Sequence, residues 1–220
     1  MGNSLNRESK KIYSLLNPSV LFMIQRRQRI FQKIFADNFP EGLSDIKLLE
    51  IGCGSGQWLI EFAMFGFKFA NFAGIEIEPR RAKIAMERVP NADIREGDAS
   101  SLPWPDQSFD IVFQSTVFTS VTDSEKKKKI AGEMKRVCKE GGIILWYDFK
   151  YNNPSNPNVR GVGRSEIKEL FAPWRCEFQS VTLAPLIARK VVPLSWSIAE
   201  DLETFFPFLR THLVVVIRTT

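Results

Sequence analysis

The residues with the clearest chemical potential lie in a glycine-rich stretch that follows a short apolar run. Leu48-Leu49-Glu50-Ile51 leads into three glycines at alternate positions (Gly52, Cys53, Gly54, Ser55 and Gly56). At a turn between a strand and a helix, glycines let backbone N–H groups approach a ligand because no Cβ stands in the way. The stretch therefore predicts a binding site for a small molecule.

The spacing and charge of this stretch narrow the class of ligand. A dinucleotide-binding turn needs G-x-G-x-x-G, whereas here Gly56 places the third glycine one position too early. Glu50 precedes the first glycine, and a carboxylate at the mouth of the turn repels a pyrophosphate. The stretch therefore favours a cationic ligand over a dinucleotide.

Two further acids follow predicted strands. Apolar strands and amphipathic helices alternate as βαβαβ over residues 46–95, which predicts a doubly wound parallel sheet. Glu76 ends the second strand, and Asp98 follows the third within Gly97-Asp98-Ala99. Ligands bind such sheets at the carboxyl ends of the strands, so we expect both acids near the glycine stretch.

Taken together, residues 46–148 resemble the class I S-adenosylmethionine-dependent methyltransferases. The resemblance rests on the glycine stretch, Glu76 and four later motifs: Gly97-Asp98-Ala99, Leu102-Pro103-Trp104-Pro105, Ser108-Phe109-Asp110 and Arg136-Val137-Cys138-Lys139-Glu140-Gly141-Gly142. It implies that Glu76 accepts hydrogen bonds from both ribose hydroxyls and that Asp98 accepts one from the adenine amino group. The expected cofactor is S-adenosyl-L-methionine, with S-adenosyl-L-homocysteine as product.

The resemblance also implies a fold and a set of cofactor-binding residues. The expected fold is α/β and Rossmann-like, a doubly wound, mostly parallel seven-stranded sheet with an antiparallel C-terminal strand. Cys53 has no Lys, Arg or His near it in sequence, so we interpret it as a small filler and not a nucleophile. The expected cofactor-binding set comprises Glu50, Gly52, Cys53, Gly54, Ser55, Gly56, Glu76, Ile77, Gly97, Asp98, Ala99 and Gln114.

Methyl transfer to oxygen or nitrogen also calls for a group that takes a proton from the acceptor. Tyr147 and Asp148 lie at the carboxyl end of the fifth predicted strand, residues 143–147, where open α/β sheets place their sites. Asp148 is the first candidate base, and Tyr147 is expected to contact the substrate. His212, at the entry to the last strand, is the second candidate base. A lone histidine there is also consistent with a purely structural role.

The loop over residues 150–163 is predicted to face the acceptor. Its Asn152, Asn156 and Arg160 suit a polyhydroxylated or anionic acceptor, such as a saccharide. The pattern resembles a bacterial subgroup of these methyltransferases that is associated with polysaccharide and cell-envelope pathways. Equally, the asparagines and prolines could serve only to shape the loop. The sequence thus predicts O- or N-methylation of a small molecule or saccharide.

The positive charge is concentrated at the N-terminus. Residues 1–36 carry seven basic side chains and one acidic one, a net of +6 within a chain of net +5. Asn17-Pro18 begins an amphipathic helix that extends to about Ala36, which we expect to cover the site. Residues 37–220 are expected to form a single methyltransferase domain. The basic helix leaves open contact with nucleic acid, an anionic membrane or solvent alone.

Two alternative functions also remain open. An RNA methyltransferase is possible, but Gln114-Ser115-Thr116-Val117 stands where methyltransferases of base amines carry Asn-Pro-Pro-aromatic. The other alternative is a protein that binds the cofactor without catalysis. The three cysteines form no metal-ligand pattern, and no apolar run approaches the roughly 18 residues of a membrane span. We therefore expect a cytoplasmic protein without a metal, of unknown oligomeric state.

Overall fold

A seven-stranded sheet organises the computed structural model, which describes residues 14–152, 156 and 158–219. The strand order is β3-β2-β1-β4-β5-β7-β6, mostly parallel with an antiparallel C-terminal strand, as predicted. The strands are β1 Leu48–Ile51, β2 Phe72–Glu76, β3 Asp93–Glu96, β4 Phe109–Ser115, β5 Cys138–Phe149, β6 Arg175–Leu183 and β7 Arg210–Arg218.

Eight α-helices connect the strands within the described residues. They are α1 Pro18–Asn38, α2 Gln57–Ala63, α3 Pro79–Arg88, α4 Val117–Ser120, α5 Ser124–Val137, α6 Arg164–Phe171, α7 Pro185–Val191 and α8 Trp196–Phe205. Capping residues fix several helix starts: the Asn17 side chain accepts a hydrogen bond from Ser19 N–H, and Asp123 caps α5 in the same way. In the described part of the chain, no helix is both long and apolar enough to cross a membrane.

Burial on both faces explains the apolar sequence of the central strands. All four residues of β1 are buried, because β1 pairs in parallel with β2 on one side and β4 on the other. The fifth strand is longer than the predicted 143–147 and begins directly at the end of α5. These parallel pairs bring the carboxyl ends of β1, β2 and β4 to one edge of the sheet.

The chain divides into two contact units. The first contains Met1–Pro40 and Ser180–His212, and its core includes Phe22, Leu183 and Ala199. The second contains Glu41–Gln179 and Leu213–Thr220, with a core around Leu49, Trp146 and Val215. Because contacts group residues 180–212 with the N-terminal segment, a single domain over 37–220 and a covering role for residues 1–36 stay predictions. The basic residues Arg7, Lys10 and Lys11 lie outside the described residues.

Candidate cofactor and acceptor site

The glycine turn between β1 and α2 requires the glycines that form it. Gly52, Gly54 and Gly56 have φ values of +64°, +56° and +76°, a left-handed region that side chains with a Cβ rarely adopt. A Cβ on Gly52 would lie 2.6 Å from Val117 Cγ2, and one on Gly54 would meet the Arg81 guanidinium. Side chains of α4 and α3 therefore lie in close contact with the glycine turn.

Two buried polar atoms at this edge of the sheet have no hydrogen-bond partner among the described residues. They are Glu50 Oε2 at the end of β1 and Gln114 Nε2 near the end of β4. Burial raises the pKa of Glu50 well above its usual value, and the nearby Glu61 and Glu76 carboxylates raise it further. Unsatisfied buried polar groups call for a bound partner, and a cation would relieve the repulsion among these carboxylates. The site therefore fits the cationic S-adenosylmethionine.

Glu76 lies against the glycine turn, as its position at the end of β2 predicts. Its buried carboxylate accepts hydrogen bonds from the N–H groups of Gly54 (2.8 Å) and Glu78 (3.0 Å). The N–H of Gly97 donates to the Glu76 carbonyl at 3.0 Å, which holds the turn after β3 beside β2. The fold thus brings together three parts of the predicted site, and the next residue, Ile77, is exposed.

Asp98 is a partly exposed acid that already has partners within the chain. Oδ1 accepts from the Ser100 N–H at 2.9 Å, and Oδ2 lies 2.7 Å from Lys126 Nζ. The hydrogen bond from Lys126 is the main reason that the pKa of Asp98 is lowered to about 2. Asp98 is therefore ionised at neutral pH, while its neighbour Ala99 packs against the hydrophobic core.

Two basic residues at the site were missed by the sequence analysis. Arg81 Nη1 lies 3.9 Å from Glu76 Oε1, and Lys126 pairs with Asp98 as described above. Four consecutive lysines, Lys126 to Lys129, are typical of a solvated surface, but Lys127 is 1% exposed and pairs with Glu166. A signal for Arg81 was available, because it opens the helix that directly follows Glu76.

Cys53 fills space within the turn, as expected. Its N–H donates to the Ile75 carbonyl at 3.0 Å, and a Cβ on Gly74 would lie 2.8 Å from its Sγ. Burial raises the pKa of the thiol, so a nucleophilic thiolate is disfavoured. Ser55 contributes its carbonyl, which accepts a hydrogen bond from Arg88 at 2.9 Å.

Asp148 is buried and surrounded by hydrogen-bond donors. Its carboxylate accepts from the Thr119 hydroxyl (2.8 Å), the Phe149 N–H (2.8 Å) and the Thr119 N–H (3.2 Å). Burial raises the pKa of Asp148 to about 6 despite these hydrogen bonds. Asp148 thereby ties α4 to the end of β5. The adjacent Tyr147 packs its ring against Trp58 at a centroid distance of 5.5 Å.

His212 belongs to the first contact unit. It is buried, and its Nδ1 lies 3.0 Å from the Thr211 hydroxyl. Burial lowers the pKa of His212 to about 3, and the positive charge of Arg27 lowers it further. His212 is therefore neutral at pH 7 and only a weak proton acceptor.

The polar residues predicted to contact the acceptor make hydrogen bonds within their own loop or to the helix that follows it. Asn152 Oδ1 accepts from the Gly161 N–H at 2.9 Å, and Asn156 Oδ1 accepts from the Asn158 N–H at 3.1 Å. Arg160 Nη2 donates to Glu166 Oε1 at 2.7 Å. These contacts give the three side chains a role in shaping the loop. Residues 153–155 and 157 lie outside the described residues.

Comparison with known proteins identifies the class of domain that carries this site. Residues 49–146 match the family model described as "Methyltransferase domain". The chain is 30% identical to 2-methyl-6-phytyl-1,4-hydroquinone methyltransferase of Synechocystis, covering 63% of this chain and 42% of that protein. It is 28% identical to demethylmenaquinone methyltransferase of Chlorobaculum parvum, covering 67% of this chain and 58% of that protein. The chain thus spans about half the length of these curated relatives.

A solved structure extends the likeness of fold over most of the chain. Geranyl diphosphate C-methyltransferase of Streptomyces coelicolor, solved with S-adenosyl-L-homocysteine, superimposes with a TM-score of 0.64 at 14% identity. The match covers 94% of this chain and 85% of that one. Residues 49–146 therefore form a methyltransferase domain, with S-adenosylmethionine as its cofactor.

Proposed function

We propose that this protein transfers a methyl group from S-adenosylmethionine to a small-molecule acceptor. The observation that carries the proposal is the convergence of the left-handed glycine turn, Glu76 and the turn before Asp98 at one edge of the sheet. Two unsatisfied buried groups, Glu50 Oε2 and Gln114 Nε2, lie at the same edge. The three proteins compared above all carry methyltransferase names.

Each part of the site has a defined task in this proposal. When bound, S-adenosylmethionine supplies a methyl group on a positively charged sulfur, which departs as a neutral thioether. The glycine turn admits the cofactor close to the backbone, and Glu50 offsets its positive charge. Glu76 holds the ribose hydroxyls, and Asp98 holds the adenine amino group. Catalysis then depends on alignment of the methyl group with the acceptor and on exclusion of water.

Of the two candidate bases, Asp148 is the better supported. Its pKa of about 6 suits a proton acceptor at neutral pH, whereas the pKa of about 3 makes His212 a weak one. Asp148 and its partner, the Thr119 hydroxyl at 2.8 Å, are both buried, so a role as base requires the acceptor to reach this pair. Transfer to carbon, as in the name of the geranyl diphosphate enzyme, is also compatible with this arrangement.

For the acceptor, we favour an apolar small molecule over a saccharide. The names of the compared proteins specify a phytyl hydroquinone, a demethylmenaquinone and geranyl diphosphate, and phytyl and geranyl groups are hydrocarbon chains. The aromatic rings of Trp58, Phe113 and Tyr147 pack together at the carboxyl ends of β4 and β5. The saccharide acceptor stays a prediction, since Asn152 and Asn156 have partners within the loop and Arg160 pairs with Glu166 of α6.

Calorimetric titration with S-adenosylhomocysteine tests the cofactor assignment. We expect Glu76→Gln and Asp98→Asn each to weaken binding by about 1–3 kcal/mol, because a hydrogen bond to a charged acceptor is lost. Asp45→Asn is the matched control: it neutralises an exposed acid, paired with Lys68, outside the glycine turn, and should leave affinity unchanged. Unchanged affinity in both site variants would contradict the assignment.

Transfer of labelled methyl groups tests the reaction. We expect label to enter a prenylated hydroquinone, with none in a matched panel of sugars or in RNA, and Asp148→Asn to slow transfer without changing affinity for S-adenosylhomocysteine. Labelled saccharide would reverse our choice of acceptor, and labelled RNA would favour an RNA methyltransferase. Cofactor binding with no transfer to any of these, or to fractionated cell extract, would favour a non-catalytic protein.

A further inference from the structure

Exposed apolar side chains are concentrated in the first contact unit, which holds about a third of the chain. Among the described residues, thirteen large hydrophobic side chains are exposed, and eight of them belong to this unit. Six lie between residues 186 and 208, and we call them the apolar face: Leu186, Leu194, Ile198, Phe205, Phe206 and Phe208. Exposed apolar side chains concentrated in one segment are typical of a surface that interacts with a partner.

The geometry of α8 shows why this apolar face cannot turn inward. Ile198 and Phe205, seven residues apart, are 54% and 71% exposed, whereas the buried positions of the helix are Ala199 and Glu203. On the inner side, Trp196 packs edge-on against Phe22 at 5.2 Å. Other residues of α8 therefore occupy its buried side. Two further exposed aromatic residues, Phe206 and Phe208, follow the end of the helix.

The same unit carries a basic surplus. Its described residues, 14–40 and 180–212, contain seven Lys and Arg and four Asp and Glu, a net of +3. Two of the acids, Glu200 and Glu203, are paired with Arg26. Arg189 and Lys190 are exposed at the end of α7, between Leu186 and Leu194 in sequence. The basic surplus therefore accompanies the apolar face.

We propose that this unit docks on the surface of an anionic phospholipid bilayer. Interfacial binding needs aromatic and aliphatic side chains that enter the boundary between headgroups and acyl chains, together with Lys and Arg that pair with anionic headgroups. The apolar face supplies the first, and the exposed Arg189 and Lys190 supply the second. The proposal goes beyond the methyl-transfer function and does not depend on it.

Co-sedimentation of the full chain with lipid vesicles tests the docking. We expect binding to vesicles of phosphatidylcholine with phosphatidylglycerol, weakening as salt is raised, and little binding to phosphatidylcholine alone. Phe205→Ser/Phe208→Ser should lower the vesicle partition coefficient by about tenfold or more. The matched control, Met64→Ser/Met86→Ser, removes two exposed apolar side chains of the other unit and should change it less than about twofold.

Substitutions of charged residues test the docking in a second way, because removal of a basic residue and removal of an acid should change vesicle binding in opposite directions. Arg189→Gln and Lys190→Gln should each weaken binding to the anionic vesicles about fivefold. Asp201→Asn, which removes an exposed acid from the same helix as Ile198 and Phe205, should strengthen it. If none of these substitutions changes binding to the anionic vesicles, the surface does not contact lipid headgroups, and the proposal is overturned.

Three further outcomes would overturn the proposal. They are no binding of the parent chain to anionic vesicles, equal binding of Phe205→Ser/Phe208→Ser and its control, or a dimer in lipid-free light scattering that Phe205→Ser/Phe208→Ser abolishes. The last would assign the apolar face to a second copy of this chain. Affinity for S-adenosylhomocysteine, measured on the same samples, reports folding and separates failure here from failure of the methyltransferase assignment.

Discussion

Arg81 lies next to Glu76, an acid that is predicted to bind the cofactor. Its guanidinium lies where a Cβ on Gly54 would be, and Nη1 is 3.9 Å from Glu76 Oε1. Arg81 therefore covers part of the glycine turn beside Glu76. We predict that Arg81 moves aside when Glu76 accepts hydrogen bonds from the ribose hydroxyls.

We expect Arg81→Met to tighten binding of S-adenosylhomocysteine by about two- to fivefold. The Arg81 side chain is 54% exposed, so solvent partly screens its ion pair with Glu76. The expected gain in affinity is therefore small, because exposed ion pairs contribute little free energy. Titration calorimetry measures the change, and Arg80→Met, on the preceding residue, is the control. A loss of affinity in Arg81→Met alone would show instead that Arg81 contacts the bound cofactor.

At the scale of elements, α5, α6 and the end of the 150–163 loop form one anchored assembly. Lys127 on α5 is 1% exposed and lies 2.7 Å from Glu166 on α6, and the same Glu166 oxygen accepts from Arg160 of the loop. Ile167 and Phe171 bury the inner face of α6 in the main core. The Arg160 N–H also donates to the Thr119 carbonyl of α4 at 2.9 Å. The loop is thus held at two points by charge and backbone hydrogen bonds.

We expect Glu166→Gln to destabilise the protein by about 3 kcal/mol, because it removes the carboxylate that pairs directly with the buried Lys127 ammonium. Urea unfolding measures the difference. Glu125→Gln is the control, since its partner Lys128 is largely exposed, and it should cost less than about 1 kcal/mol. If both substitutions lower the free energy of unfolding equally, the buried Lys127–Glu166 pair contributes no more to stability than the exposed Lys128–Glu125 pair.

At the scale of the whole molecule, two buried titratable groups give opposite pH dependences of stability. The pKa of Asp148 is raised from 3.8 to about 6, so its stabilising contribution is present below pH 3.8 and lost as the pH rises through 6. The pKa of His212 is lowered from 6.5 to about 3, so its contribution is present above pH 6.5 and lost as the pH falls towards 3. The two effects oppose each other between pH 4 and 6.

Single substitutions separate these contributions in urea unfolding at pH 4, 5, 6 and 7. Relative to the parent chain, Asp148→Asn should become more stable by about 3 kcal/mol as the pH rises across this range, because the shift of about two pKa units disappears. His212→Gln should show the opposite trend, losing relative stability as the pH rises. Parallel stability curves for all three proteins would contradict both assignments.

The sequence by itself determined the parts of this protein that depend on neighbouring residues. The glycine spacing, the acid at the end of β2 and the Gly97-Asp98-Ala99 turn predicted the fold and the cofactor, and comparison with known proteins confirmed both. These features can be predicted from short stretches of sequence because strand alternation, turn glycines and helix caps are local requirements of the backbone. The first helix was predicted to within two residues for the same reason.

Only the tertiary structure decided which distant side chains meet. Lys126 reaches Asp98 across 28 positions, Asp148 holds Thr119 across 29, and Lys127 is buried where its sequence suggested solvent. The grouping of residues 180–212 with the N-terminal segment, and the apolar face that results, had no sequence signal either. Contacts of this range depend on how elements pack, and a single sequence carries no local pattern that specifies the partner.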